Sequence, residues 1–176
     1  SAASDVYKRQ LEGSRSAGGA VATWLTSKCL GFDENGYGQI LEQSIKQRQA
    51  LEIMIAESDK NIRISPHSQT NILCFCVAKE GEAVSMTNKR TEEIYDIFNR
   101  EGEVPFFVSK TSLSWKSYGE YLNGYVAKWN AQIDDPNLTL IRLTLMNPFF
   151  SSSNTKVNYS KEFTKELAII INSLKY

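Results

Sequence analysis

Residues 138–146 read LTLIRLTLM, and this run predicts a β-strand that is stopped by the following Asn147-Pro148. From residue 141 onward the odd positions carry aliphatic side chains, whereas the even positions carry Arg142, Thr144 and Met146. Because side chains alternate along a strand, the two sets lie on opposite faces. A guanidinium on so apolar a strand favours a carboxylate partner, which it can bind through two parallel hydrogen bonds. That partner could be a substrate, or an internal Asp or Glu, or it could be replaced by water on an exposed sheet face.

The chain around this strand predicts a small layered domain. Between residues 60 and 176 the patterns indicate strand, strand, helix, two or three strands and a last helix. The strands are predicted near 62–64, 71–78, 104–109, 118–129 and 138–146, with a polar loop at 79–89 and helices at 90–100 and 160–175. This order is typical of an α+β fold, an antiparallel sheet with helices packed on one face. Residues 16–30 and 39–58 predict two helices without a strand, which need another domain to cover them.

Composition excludes several classes of protein. Twenty Lys and Arg balance twenty Asp and Glu, which argues against a generic nucleic-acid binder. No apolar run approaches the roughly 18–20 residues of a membrane span, and no apolar segment typical of a signal peptide follows the first charges. Three cysteines in a chain of this size predict a reduced, cytoplasmic protein.

Familiar catalytic motifs are missing from the sequence, including the glycine-rich phosphate loops and the G-x-S-x-G elbow. His67 is the one histidine, so a multi-histidine metal site is excluded and a solvent-facing loop position is favoured. Cys74 and Cys76 share one strand face and could bind a soft metal, but core packing is the favoured interpretation. We therefore predict no metal site.

Small residues at 13–16 (GSRS) lead directly into the first predicted helix. Free N–H groups, the helix dipole and Arg15 would together suit an anion such as phosphate. An ordinary helix cap by Ser14 or Ser16 is the alternative, and the local sequence favours it. Residues 1–10 resemble a translated adaptor tail, and we predict that they are not native.

Taken together, residues 11–176 resemble the C-terminal third of the group II pyridoxal-phosphate-dependent amino-acid decarboxylases. This family includes the glutamate, aromatic-amino-acid, tyrosine and diaminobutyrate decarboxylases. Four features carry the resemblance: Glu12-Gly13-Ser14-Arg15 with Trp24 and Gly36-Tyr37-Gly38 beyond, Thr70-Asn71 before Cys74-Phe75, Gly124-Tyr125, and Arg142 followed five residues later by Asn147-Pro148.

The resemblance implies an α/β, fold-type-I enzyme that converts an L-amino acid to its amine and carbon dioxide as a cytoplasmic homodimer. Residues 11–59 would be the end of the large cofactor-binding domain with its connecting helix, and residues 60–176 the small C-terminal domain. It also implies that Gly13 and Ser14 contact the pyridoxal phosphate of the neighbouring subunit, and that Arg142 binds a substrate carboxylate.

The resemblance implies as well that the catalytic groups lie upstream of this chain. The Schiff-base lysine, the stacking histidine and the aspartate on the ring nitrogen would all precede Leu11, and none of Lys28, Lys46 and Lys60 has the family's His-Lys context. We therefore predict no catalytic residue here and no activity of the chain alone.

Two alternatives remain open. One is another pyridoxal-phosphate-dependent carbon–carbon lyase, acting on a phosphorylated amine. The other is a free-standing α+β module that binds a small ligand or a protein without catalysis. The aromatic residues of the 115–125 segment could line a pocket, but core or interface packing is favoured for them: Trp115, Tyr118, Tyr121 and Tyr125.

Overall fold

The computed structural model describes residues 17–102, 104–147, 149–150 and 156–174. The chain forms two compact units, one up to Ile40 and one from Leu41 onward. Within the described residues, no helix is long and apolar enough to cross a membrane.

The described part of the first unit is helical. Helix α1 spans Gly18–Cys29, and helix α2 begins at Tyr37 and runs on into the second unit as far as Ser58. The turn between them requires a glycine at position 36, because a Cβ atom there would lie 1.8 Å from the carbonyl oxygen of Leu30. Helix α1 buries none of its residues.

The second unit contains one antiparallel sheet of four strands in the order β1-β2-β4-β3. The strands are β1 (Ile62–Ile64), β2 (Ile72–Val77), β3 (Ser109–Ser114) and β4 (Asn137–Thr144). The helices are the rest of α2, α3 (Val84–Phe98), α4 (Trp115–Val126), a short 3₁₀ helix (Ala127–Trp129) and α5 (Tyr159–Ser173). The strand predicted at 138–146 is thus confirmed as β4, an inner strand between β2 and β3.

One face of the sheet is covered by α2, α3 and α5. Odd-numbered residues of β2 and β4, such as Phe75 and Ile141, meet Leu51 of α2, Phe98 of α3 and Phe163 of α5 in a single buried cluster. The alternation of the two strands with period 2 directs these side chains to one side.

The opposite face is partly covered too, so the expectation of helices on one face is wrong. Helix α4 and the 3₁₀ helix pack Leu122, Tyr125 and Trp129 onto Cys76 and Leu140 at one end of the sheet. The even positions of these strands are apolar at that end, and burying them requires a second cover.

One predicted element type and two predicted boundaries are also wrong. Residues 118–129 form α4 and the 3₁₀ helix rather than a strand, and the strand predicted at 104–109 lies at Ser109–Ser114. Helix α3 begins at Val84, inside the predicted polar loop at 79–89. The short strand at 62–64, the strand near 71–78 and the last helix are confirmed, each within a few residues.

Candidate carboxylate-binding site

Strand β4 presents Arg142 on the sheet face opposite the helices α2, α3 and α5. Ile141 and Leu143 on either side of it are buried in the core, whereas Arg142 and Thr144 are exposed. Because Ile141 and Leu143 pack into the core, the alternation of side chains along the strand places the guanidinium of Arg142 on the opposite, exposed face. This confirms the predicted division of β4 into two faces.

The neighbouring strands place Cys74 and Ser109 on either side of Arg142. Cys74 of β2 and Ser109 of β3 are its direct cross-strand partners. The Nε atom of Arg142 donates a hydrogen bond to Oγ of Ser109 at 3.2 Å, and this hydroxyl donates to the carbonyl oxygen of Arg142 at 2.7 Å. Ser109 therefore ties both the side chain and the main chain of Arg142 to the first residue of β3.

Within the described residues, no carboxylate forms an ion pair with Arg142, and its two terminal nitrogens have no hydrogen-bond partner. Of the partners left open by the sequence, an internal Asp or Glu is thus not found in the described part of the chain. With Nε bound to Ser109, the two terminal nitrogens form the fork that remains for a planar anion.

The far end of β4 is held by Asn71, which precedes β2. Its side-chain Nδ2 donates to the carbonyl oxygen of Leu145 at 2.9 Å, and its carbonyl oxygen accepts from the N–H of Leu145 at 2.9 Å. These bonds continue the pairing of β2 and β4 past Arg142. Asn71 of the Thr70-Asn71 pair therefore helps to position the strand that carries Arg142.

The two cysteines of β2 lie on the same face as Arg142 but in different surroundings. Burial raises the pKa of the Cys74 thiol, although the guanidinium of Arg142 opposes the shift. Burial raises the pKa of the Cys76 thiol to about 12, against a hydrogen bond with Tyr125 at 3.6 Å. Burial thus favours the thiol over the thiolate at both positions.

Within the described residues, no group of three or more His, Cys, Asp or Glu side chains is placed to hold a metal ion, and the absence of a metal site stays a prediction. His67 lies in an exposed loop with a positive φ of 62°, as the sequence predicts for a solvent-facing position.

A cavity of about 360 Å³ lies at the edge of the sheet where β3 begins, and its lining includes residues of both sheet faces: Arg142 and Thr144 of one, Leu143 and Leu145 of the other. Apolar side chains from α2, α5 and the segments next to β3 and β4 form most of its wall: Leu51, Phe106, Phe107, Val108, Phe150 and Phe163. The position of the cavity was not predicted, because it depends on β3 beginning at Ser109 and leaving the end of β4 uncovered.

The aromatic residues of α4 are divided between core and surface. Tyr125 is fully buried and donates a hydrogen bond to the carbonyl oxygen of Arg63, while Trp115 and Tyr121 pack partly buried against the same cluster. Tyr118 is exposed. Core packing is thus confirmed for three of the four aromatic residues named in the sequence analysis.

The predicted phosphate contact by Gly13 and Ser14 lies outside the described residues. Lys28, Lys46 and Lys60 are all exposed, and Lys46 forms an ion pair with Glu42 at 2.8 Å.

Comparison with known proteins gives one informative similarity. No protein-family model matches the chain. An L-tyrosine decarboxylase of Enterococcus faecium is 22% identical over 180 residues, which cover 93% of this chain and 30% of that protein. The chain is therefore a distant relative of a decarboxylase and spans under a third of the length of that relative.

Proposed function

We propose that this chain is part of a pyridoxal-phosphate-dependent decarboxylase that converts an L-amino acid to its amine and carbon dioxide. The observation that carries the proposal is the pair of unpartnered terminal nitrogens of Arg142 within the described residues. The distant similarity to a tyrosine decarboxylase, which extends over 93% of the chain, supports the same class of reaction.

The role of Arg142 in this function is to bind a carboxylate of the substrate. Ser109 holds Nε, so the fork of terminal nitrogens has a restricted set of orientations before a ligand arrives. Two parallel N–H···O bonds would then fix the carboxylate in one plane. A lysine at this position could supply the charge but not the planar pair of donors.

The proposed cofactor is pyridoxal phosphate. When bound, pyridoxal phosphate would accept the electron pair left by the departing carbon dioxide. Gly13 and Ser14 are proposed to contact its phosphate across a homodimer, which would be cytoplasmic. The exposed positions of Lys28, Lys46 and Lys60 do not offer the enclosed site that a covalently bound cofactor requires.

The test begins with the DNA upstream of Leu11, read in frame from the source. The complete protein, purified with added pyridoxal phosphate, is then assayed for carbon dioxide release from a panel of L-amino acids. We expect Arg142→Met to lower kcat/KM by about 10- to 100-fold, because it removes a charged hydrogen-bonding pair. Lys116→Met is the matched control, since Lys116 is an exposed cation just past the opposite end of β3 from Ser109.

The possible outcomes separate the parts of the proposal. Absence of carbon dioxide release from every amino acid would show that the decarboxylase assignment is wrong. Release that is equally fast in wild type and Arg142→Met would leave the reaction in place and remove Arg142 from substrate binding. An upstream stop codon in the source DNA would instead favour the free-standing binding module.

A further inference from the structure

The cavity beside Arg142 has the composition of a site for the apolar part of a ligand. Aromatic rings supply much of its wall, and its volume of about 360 Å³ is at the small end of the range for ligand sites. Such a volume suits a compact molecule rather than a long chain or a peptide.

Part of the wall is fixed before any ligand binds. Phe163 is buried in the core and stacks on Phe98 with ring centroids 5.3 Å apart. Phe106 contacts the same ring edge-to-face, with centroids 5.5 Å apart. These contacts hold two sides of the cavity open in one shape, so a ligand would not have to order them on binding.

Phe107 behaves differently from its neighbours. It lines the cavity, yet 77% of its surface is exposed, the highest fraction among the large hydrophobic side chains of the described residues. A ligand lying in the cavity would cover part of this ring and remove it from water, which is favourable.

The charge at the cavity defines the other end of the ligand. Among the described residues that line it, Arg142 is the one with a formal charge, and Ser109 and Thr144 add hydroxyl groups. A single cation beside an apolar space matches a molecule with one carboxylate and an uncharged body. A ligand with a second carboxylate would meet no second cation in this lining.

We infer that this cavity binds the apolar body of an amphipathic monocarboxylate, an aryl- or alkyl-substituted acid, whose carboxylate is held by Arg142. The inference rests on the carboxylate-binding role proposed for Arg142 and adds the class of side chain that this part of the site accepts. It assigns Phe107 as a residue that determines specificity by covering that side chain.

The probe is 3-phenylpropionate, titrated into the full chain and followed by the amide NMR signals of residues 106–109 and 142–145. We expect saturable binding that Phe107→Ala weakens by about 5-fold or more, because it removes the exposed aromatic wall. Phe32→Ala, which truncates another exposed phenylalanine ring, 64% exposed and in the first unit, is expected to leave the affinity unchanged.

Two further variants and two further ligands test whether the positive charge of Arg142 holds the carboxylate. Phe107→Glu places a carboxylate at the cavity and is expected to weaken binding of the acid more than Phe107→Ala does. Arg142→Met is expected to weaken it by about 10-fold. The uncharged analogue 3-phenylpropan-1-ol and the dicarboxylate succinate are expected to bind wild type at least about 10-fold more weakly than the acid.

The outcomes distinguish failure of the cavity inference from failure of the role proposed for Arg142. Equal affinities of wild type, Phe107→Ala and Phe107→Glu, with weakened binding in Arg142→Met, would overturn the cavity inference and leave the carboxylate role of Arg142 intact. Binding unaffected by Arg142→Met would overturn both. No saturable binding in the millimolar range would overturn the inference, whereas the reaction is decided separately by carbon dioxide release from the complete protein.

Discussion

Ser109 shows how a single small side chain can prepare a larger one for binding. Its hydroxyl group accepts from Nε of Arg142 and donates to the carbonyl oxygen of the same residue. Without it, the guanidinium would retain its rotamers and lose entropy when a carboxylate binds. Ser109 is therefore a positioning residue that acts through Arg142.

Ser109→Ala is expected to weaken carboxylate binding by about 3- to 10-fold, since one hydrogen bond to a charged group is lost. The effect should appear in KM of the complete protein while kcat changes little. Ser112→Ala on the same strand is the control, because Ser112 is exposed and pairs opposite Thr139 instead. Equal KM values in the two variants would show that Ser109 does not position Arg142.

The buried thiol of Cys76 makes the free energy of unfolding depend on pH in alkaline solution. Burial raises the pKa of its thiol from 9.0 to about 12, so the folded protein keeps a proton that the unfolded chain releases above pH 9. The stabilisation is complete below pH 9 and is lost as the pH rises toward 12. The free energy of unfolding should then fall by about 1.4 kcal/mol per pH unit from this group.

Urea unfolding between pH 8 and 10.5 under reducing conditions measures this slope. Cys76→Ala should flatten it, although Tyr125 adds to the remaining slope because burial raises its pKa well above 10. Cys29→Ala, at an exposed cysteine, should leave the slope as it is in wild type. A slope that Cys76→Ala does not change would contradict the assignment.

At the scale of elements, an ion pair between Arg90 and Glu82 connects the first turns of α3 to the loop before it. Arg90 reaches back from the second turn of the helix to bind both carboxylate oxygens of Glu82 at 2.5 and 2.6 Å and the carbonyl oxygen of Val77 at 2.9 Å. Burial opposes ionisation of Glu82, but the hydrogen bonds from Arg90 outweigh it and lower the pKa of the carboxyl group. The pair thus joins the end of β2 to α3 across the connecting loop.

Glu82→Gln is expected to lower the free energy of unfolding by about 2 kcal/mol, because the charge-assisted hydrogen bonds from the buried Arg90 to the Glu82 carboxylate are weakened or lost. The contribution of Glu82 should be present above pH 4.5 and disappear as the pH falls through its lowered pKa, so the two proteins should converge in acid. Urea unfolding at pH 7 and pH 3 measures both effects. Glu80→Gln is the control, since Glu80 is exposed and 3.7 Å from Arg63; an equal loss in both variants would contradict the prediction.

Helix α4 shows why the strand expected at 118–129 was wrong. Its aromatic residues favour strands by local propensity, which is a weak preference that packing overrides. The buried side chains Leu122, Tyr125, Val126 and Trp129 recur at the spacing of a helix rather than at every second position. Three tyrosines and a tryptophan give the segment the composition of a strand, although the spacing of its buried residues is that of a helix.

At the scale of the whole molecule, α1 carries an apolar stripe on which no residue is buried. Val21, Trp24 and Leu25 lie three and four residues apart, hence on one side of the helix, and all are exposed. Such a stripe is typical of a surface that another segment or chain covers. The fragment hypothesis accounts for it directly.

The purified chain should therefore bind an apolar fluorescent dye such as ANS and self-associate as its concentration rises. Trp24→Ser and Leu25→Ser should each reduce the fluorescence, while Ile133→Ser should change it little, because Ile133 is comparably exposed but lies in the second unit. A clean monomer that binds no dye and unfolds cooperatively would favour the free-standing module instead.

Local sequence patterns predict the secondary structure where a single hydrophobic period, that of a strand or that of a helix, dominates a segment. The alternation in β4, the last helix and the placement of Arg142 on the face opposite Ile141 and Leu143 follow from residues that are close in sequence. Arg142 was also named as a carboxylate ligand from the sequence, and its role stays a prediction. The contact of Gly13 and Ser14 with a cofactor likewise stays a prediction, since these residues are outside the described ranges.

The surroundings of Arg142 depend on strand register, which no local pattern specifies. Ser109 lies 33 residues from Arg142 in sequence and reaches it because β3 pairs with β4 in one particular register. A shift of one residue would turn Ser109 to the other face and abolish both hydrogen bonds. The cavity depends on the same register, since it is bounded by side chains from four separate segments of the chain. Periodicity therefore determines which face a side chain occupies, whereas its neighbours on that face are determined by long-range pairing and packing.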